Sequence, residues 1–226
     1  MKINSQSGLP SVRTVPALRL VNAQGVPYVA ILASMVLGLL IGVACGTART
    51  YGPRWLDRLL GFYVDSMRAI PVLVVLVWTY FAFPLLVGRS VNAFTAATVA
   101  LGFHLGAYVG ETIRAGLTSV RPGQMRAALA LGMSPAQAIR TIILPQALIR
   151  MLPNLGSLLV IAVKDSAIAS VVAVPELMRQ SQILAGRTYR PFEIYTAAML
   201  VYFCLCYPVA RGVERVYRRL APLGAS

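Results

Sequence analysis

The sequence predicts an all-α integral membrane fold: five transmembrane helices, with a cytoplasmic two-helix loop between the third and the fourth. Three observations predict it. The 226 residues are 58% hydrophobic and 12% charged, with a mean hydropathy of +0.71, whereas soluble domains carry about 25% charged residues. Charge is missing from whole stretches of the length that a helix needs to cross a bilayer, roughly 20 residues. One internal polar segment, from Gly123 to Ala147, carries the punctuation of short capped helices.

The elements follow in order. Residues 1–25 read as a polar extracytoplasmic tail. Residues 26–48 contain no charged side chain, nor do 69–88 or 90–110, and each reads as a span. A fourth run, 152–175, is interrupted only by Lys164-Asp165, and a fifth, 194–210, is slightly short but ends in aromatic and arginine anchors. The transmembrane domain is thus expected over residues 26–215, with a cytoplasmic tail at 216–226. The first apolar run is too long for the core of a signal peptide and lacks a convincing cleavage site, so none is expected. Tyr51 with Trp55, and Tyr207 with Tyr217, suit the membrane interface.

Orientation comes from the arginines. One set of alternate connections holds Arg49, Arg54, Arg58, Arg68, Arg114, Arg121, Arg126, Arg140, Arg150, Arg211, Arg215, Arg218 and Arg219, 13 cations in all. The other holds Lys2, Arg13, Arg19, Arg89, Arg179, Arg187 and Arg190, which is 7. Cytoplasmic loops are the cation-rich ones, which predicts an outside amino terminus and a cytoplasmic carboxyl terminus in a bacterial inner membrane. It also argues against nucleic acid as a partner, since the net charge of +14 flanks apolar spans and lines no single polar face.

Within the polar loop, Ser134-Pro135-Ala136-Gln137 is a strong helix start, with serine as the cap, proline at the first helical position and glutamine three residues after the cap. Gly132 suits the end of a preceding helix that begins near Pro122. The second helix is expected to stop or bend at Pro145. Two short helices at an angle make a rigid knob for a cleft in a soluble partner. A helix pair that only anchors the connection is the alternative.

Few residues suggest chemistry. A phosphate cradle needs a glycine-rich loop ending Gly-Lys-Ser/Thr, and the only lysines, Lys2 and Lys164, lie outside any such loop. There is no Ser-His-acid constellation and no metal set, so no enzyme, catalytic residue, metal or resident cofactor is expected. His104 reads as a packed histidine, and Cys45, Cys204 and Cys206 as small hydrophobes. Glu111 and Arg114 are spaced for an i,i+3 ion pair. Lys164 and Asp165 are intramembrane charges and hence candidates for a translocation path. Neighbours on a helix point about 100° apart, so they cannot both face one partner squarely; fixing helix packing is the other role open to them. Glycine recurs every fourth residue at Gly38, Gly42 and Gly46 and again at Gly102, Gly106 and Gly110, which clears a groove for close helix approach.

The loop resembles a known family. Arg126-Ala127-Ala128, Gly132, Ile142, Leu144 and Pro145 reproduce the spacing of the EAA loop of ABC importer permeases. The flanks are similar to the polar amino acid and opine type: Arg68-Ala-Ile-Pro71, Tyr108-Val-Gly-Glu111-Thr-Ile-Arg114-Ala-Gly116-Leu117, Gly123-Gln124, Lys164-Asp165-Ser166 and Pro175-Glu176-Leu177 with Arg179-Gln180. The likeness covers residues 26–215 and departs at Arg126, where the family usually has glutamate.

The resemblance implies that Gly123, Gln124, Arg126, Ala127, Ala128, Gly132, Ser134, Pro135, Gln137, Leu144 and Pro145 dock and couple an ATPase. It implies two cytoplasmic ATPases that bind ATP and Mg, a second permease subunit that is the same or a homologous chain, and an external solute-binding protein. In a heterodimer that second subunit would bring the usual glutamate. The alternatives are a self-sufficient secondary carrier or channel, and an ABC permease for a solute other than an amino acid.

Overall fold

The computed structural model describes residues 26–221, with side chains from residue 32 onward. The expected tail at 1–25 lies outside the described residues, as does the chain beyond 221. Lipid offers no partner to a backbone N–H or C=O, so an apolar chain of this kind satisfies both within helices. The helices are α1 (Val26–Tyr51), α2 (Arg54–Ala69), α3 (Val72–Val77), α4 (Phe83–Val87), α5 (Ala93–Ser119), α6 (Pro122–Ala130), α7 (Pro135–Ala138), α8 (Leu144–Asp165), α9 (Leu177–Thr188) and α10 (Pro191–Leu220). A π-helical turn, Trp78–Ala82, joins α3 to α4, and another, Ile139–Ile143, joins α7 to α8. The 3-10 segment Ser166–Val172 continues α8.

Four helical stretches are long and apolar enough to cross a membrane: Leu32–Tyr51, Ala93–Ser119, Pro135–Val172 and Pro191–Leu220. A fifth crossing is broken, because α2 meets the α3–α4 arm at 104°. Packing direction shows that this bent pair crosses once. Along α1 and α5 the contacts rise together, Leu37 against Gly102, Ile41 against Gly106 and Cys45 against Gly110. The two helices therefore run parallel, and the chain between them must return across the layer. Helix α8 runs against α5: Arg150 donates to the Ser119 carbonyl, Met151 faces Gly116, and Asn154 donates to Thr112 Oγ1 at 2.6 Å. Helix α10 runs against α8, with Val213 beside Gly156 and Tyr202 beside Ser166. One end of the bundle thus gathers the C-termini of α1, α5 and α10, the start of α8, and the α6–α7 loop.

The glycine spacing explains the tightest contact. A Cβ at Gly42 would lie 2.4 Å from Val109 Cγ1, and one at Gly46 would lie 2.6 Å from the Gly110 carbonyl oxygen. Without side chains there, the α1 and α5 backbones reach a distance that any larger residue would prevent. Helix α2 lies over this pair through Leu60, Tyr63, Val64 and Met67 against Cys45 and Ala107. Tyr63 also donates to the Phe103 carbonyl at 2.6 Å.

Several boundaries differ from those expected, each for a local reason. The span expected at 69–88 begins at a corner: Ile70 is extended before Pro71, and the arginine-bearing stretch preceding it is the amphipathic helix α2 rather than a loop. The helix of the third span does not end at 110. Helix α5 runs on to Ser119 because Glu111 and Arg114 neutralise one another within it. The second loop helix does not stop at Pro145. The Leu144 N–H bonds to the Ile139 carbonyl, five residues back, and this wide turn absorbs the proline, whose missing donor and ring clash would break an ordinary helix. Pro84 follows its own π turn at the same spacing, where the Phe83 N–H bonds to the Trp78 carbonyl. Pro135–Val172 is consequently one helical column of 38 residues. At 1.5 Å per residue it is on the order of 57 Å long against a hydrocarbon core of about 30 Å, so it stands well out of the bilayer. Lys164-Asp165 stand at the end of α8, where the 3-10 segment that continues the column begins. Between that segment and α10 lies a helix not expected from the sequence, α9.

Candidate functional site

The loop is built by two caps set back to back. Helix α6 ends with Gly132 in the left-handed region at φ +82°; the Met133 N–H bonds to the Ala128 carbonyl at 3.1 Å and the Gly132 N–H to the Leu129 carbonyl at 3.0 Å. This paired closure needs a residue that tolerates positive φ, which is why glycine stands there. Two residues on, Ser134 Oγ accepts from the Gln137 N–H at 3.3 Å while Gln137 Oε1 accepts from the Ser134 N–H at 2.8 Å. Together these bonds hold the turn between α6 and α7 in one shape.

The inner face of the loop is anchored. Ala128, Ala138, Ile143 and Ala147 are buried, and Met125 and Ile142 pack against a core that continues through Val109, Ile113, Leu117 and Met151 into α5 and α8. The outer face is open. Gly123, Arg126, Ala127, Leu129, Leu131, Gly132, Ser134, Pro135, Gln137, Leu144 and Pro145 are exposed, and Leu131 retains 79% of its surface. Gln124 is half-buried. Of the loop residues singled out from sequence, Ala128 thus belongs to the anchor and most of the others to the presented surface.

An ion-pair network ties this end of the bundle together. Glu111 accepts from Arg49 at 2.8 Å and from Arg114 at 2.6 Å, and Arg49 also donates to Asp57 at 3.1 Å. The i,i+3 pair foreseen for Glu111 and Arg114 is there. Arg49 and Asp57, which sequence spacing could not link to it, join α1 and α2 to the same cluster.

A cavity of about 500 Å³ opens where the α2–α3 corner faces α1, α5 and α8, within the roughly 300–1,000 Å³ typical of small-molecule sites. Its polar groups are Ser34, Arg68, His104, Tyr108 and Asp165. The Arg68 guanidinium lies 5.6 Å from the Tyr108 ring centre, and His104 lies 5.2 Å from the same ring. Asp165 lines this cavity. Lys164 does not: it borders a separate groove of about 440 Å³ between α8 and α10, with Glu214 and Tyr217. The two neighbouring charges part ways as the helical step requires. Arg68, His104 and Tyr108 were not expected at one site, since the packing of α2 on α5 is what brings Arg68 to the Tyr108 ring. Among the described residues no group of His, Cys, Asp and Glu could hold a metal.

Residues 35–222 match the family described as "Binding-protein-dependent transport system inner membrane component". The chain belongs to this family. It is a permease subunit of an ABC importer and not an enzyme, ATP hydrolysis in such importers being carried out by a separate ATPase. This permease is 35% identical over 184 residues to the "Glutamine transport system permease protein GlnP" of Escherichia coli (strain K12), covering 81% of this chain and 84% of that one. It is 37% identical over 193 residues to the "Probable glutamine ABC transporter permease protein GlnM" of Bacillus subtilis (strain 168), covering 85% and 87%. In three dimensions it resembles a chain of "an amino acid ABC transporter with histidines", with a TM-score of 0.82, 33% identity, and 91% and 94% of the two chains covered. A chain of the MetNI methionine transporter shares the fold with a TM-score of 0.74 at 24% identity. The permease is accordingly a multi-pass membrane protein that works with ATPase, permease and solute-binding partners.

Proposed function

We propose that this permease forms half of the translocation path for a polar amino acid or a related compound such as an opine. The supporting observation is the pair of opposite charges, Arg68 and Asp165, on the wall of one 500 Å³ cavity. A zwitterion brings a carboxylate for the guanidinium and an ammonium group for the carboxylate. Tyr108 adds an aromatic face beneath Arg68. The relatives named for glutamine transport and the histidine-containing structure agree with this chemistry.

The transmembrane domain is assigned to residues 26–215, with the amino-terminal tail outside and 216–226 in the cytoplasm. The bundle end that holds the α6–α7 loop is the cytoplasmic one, because its connections belong to the cation-rich set of 13 counted in the sequence. Two ATPases, each holding ATP and Mg, dock on the loops of two permease subunits, and an external protein delivers the solute. ATP-driven closure of the ATPases moves α6, and the core shared by Met125, Ile113 and Met151 passes that motion to α5 and α8 as rigid bodies.

The test is uptake by vesicles holding the whole transporter. Uptake should require ATP, the ATPase and the binding protein, and Asp165→Asn should raise the half-saturating solute concentration by about tenfold, the loss of one charged hydrogen bond of roughly 1.5 kcal/mol. Lys164→Met, on the other groove, should leave that concentration unchanged. Uptake driven by an ion gradient without the ATPase would overturn the mechanism. Unchanged kinetics in Asp165→Asn would remove the cavity assignment.

A further inference from the structure

The charge of the docking surface is one-sided. From Thr112 to Lys164 the sequence contains no Asp or Glu, while Arg114, Arg121, Arg126, Arg140 and Arg150 all fall in that stretch. Arg114 is committed to Glu111, and Arg150 donates to the Ser119 carbonyl. Arg121, Arg126 and Arg140 are exposed and make no ion pair among the described residues.

Arg126 stands on the presented face of α6, with small residues beside it. Gly123 lies one turn before it, Ala127 next to it and Ala130 one turn after, all exposed, and a Cβ at Gly123 would meet nothing within 4 Å. The guanidinium is therefore reachable from the side as well as the top, and a partner's backbone can come close.

We infer that this permease docks on an ATPase whose cleft presents carboxylates to Arg126 and its neighbours Arg121 and Arg140. The inference rests on the docking role of the loop proposed above. Seating α6 in a cleft strips water from Arg126, and a desolvated guanidinium with no counter-charge weakens an interface. Among the described residues no carboxylate pairs with Arg121, Arg126 or Arg140, so a counter-charge falls to the partner. A planar guanidinium suits a carboxylate, which it binds through two parallel hydrogen bonds. An ATPase with a basic cleft, complementary to the glutamate usual at this position of the family, would be repelled.

The test uses the purified permease–ATPase complex in lipid nanodiscs, with ATPase retention measured across a salt series. Arg126→Glu should weaken retention roughly ten- to hundredfold, and Arg126→Lys should weaken it less. Single Asp→Arg and Glu→Arg changes around the partner cleft should include one that restores binding to Arg126→Glu while impairing the native permease. Leu131→Asp, at the 79% exposed tip, is the control for docking itself. If Leu131→Asp releases the ATPase and Arg126→Glu does not, the acidic cleft is wrong and the docking loop stands. If neither change releases it, both readings fall. If the Arg126→Glu effect appears only in nanodiscs containing phosphatidylglycerol and vanishes in phosphatidylcholine alone, the anion is lipid and the inference is overturned.

Discussion

Glu176 shows how a single residue organises the far end of the molecule. It is 2% exposed, ahead of α9, where its carboxylate accepts from the Met178 N–H at 2.7 Å, from the Arg179 N–H, and from Tyr202 at 3.1 Å. Burial raises its carboxyl above the usual carboxylate range, and the two backbone donors and Tyr202 pull it only part of the way back. The folded protein therefore holds this proton more tightly than the unfolded chain does. Stability should fall as pH rises from the ordinary carboxylate value through the raised one. In detergent, the melting temperature of the native permease should show that slope, and Glu176→Gln, which keeps an acceptor for the cap, should flatten it. An identical slope in Glu176→Gln would show that other groups set it. Glu176→Ala should lose about 1 kcal/mol through the missing cap below the ordinary carboxylate range, and the deficit should shrink as pH rises. Neither α9 nor its cap was legible in the sequence. Pro175-Glu176-Leu177 entered the sequence reading only as part of the family likeness, and the contact with Tyr202 on α10 is what the buried acid meets in the fold.

At the scale of elements, spacing was read well and continuity was read poorly. The two glycine series point to each other because the groove each clears has the width of a helix. The structure pairs Gly42 with Val109 and Gly46 with Gly110. Gly42→Ala should destabilise by about 1–3 kcal/mol through overpacking, although alanine is the better helix former. Gly186→Ala, in α9 with nothing within 4 Å of the new Cβ, should gain about 0.5–1 kcal/mol. Thermal melting of the two variants tests the contrast, and equal shifts would mean that close approach is not what the glycines serve. The capping box at Ser134 and Gln137 was visible in four letters because both bonds are local. Ser134→Ala should lower the ATP-coupled transport rate while ATPase binding is largely kept, since the loop loses its fixed shape and keeps its surface. Unchanged transport in that variant would show that the cap is dispensable for coupling. By contrast, Pro145 signalled a stop or a bend, and the stop does not occur. A π turn costs one backbone register and leaves no mark in composition, so only the coordinates reveal that the loop and the fourth span are one column.

The whole molecule turns on parity. Charge counting assigns a side to each connection, and the parallel packing of α1 on α5 requires one return crossing between them. The two arguments are independent and agree that the broken α2–α4 unit spans once. In a background with Cys45, Cys204 and Cys206 changed to alanine, Ala136→Cys should react with an impermeant thiol reagent only from the cytoplasmic face, and Gly186→Cys only from outside. The reverse pattern would invert the topology without changing the fold.

The sequence by itself determined that this chain is a helical membrane protein, which loop is capped, and that the chain lacks the phosphate cradle of an ATPase. These properties are set by residues within about one or two helical turns of one another or by totals over a segment, and a linear reading captures both. Tertiary structure alone decided that Arg68 and Asp165 share a cavity while Lys164 turns to another groove. It also decided that Arg49 completes the Glu111 cluster and that Arg121, Arg126 and Arg140 make no ion pair among the described residues. Those facts depend on the direction in which helices far apart in sequence approach, which is fixed by packing and carries no signal in spacing.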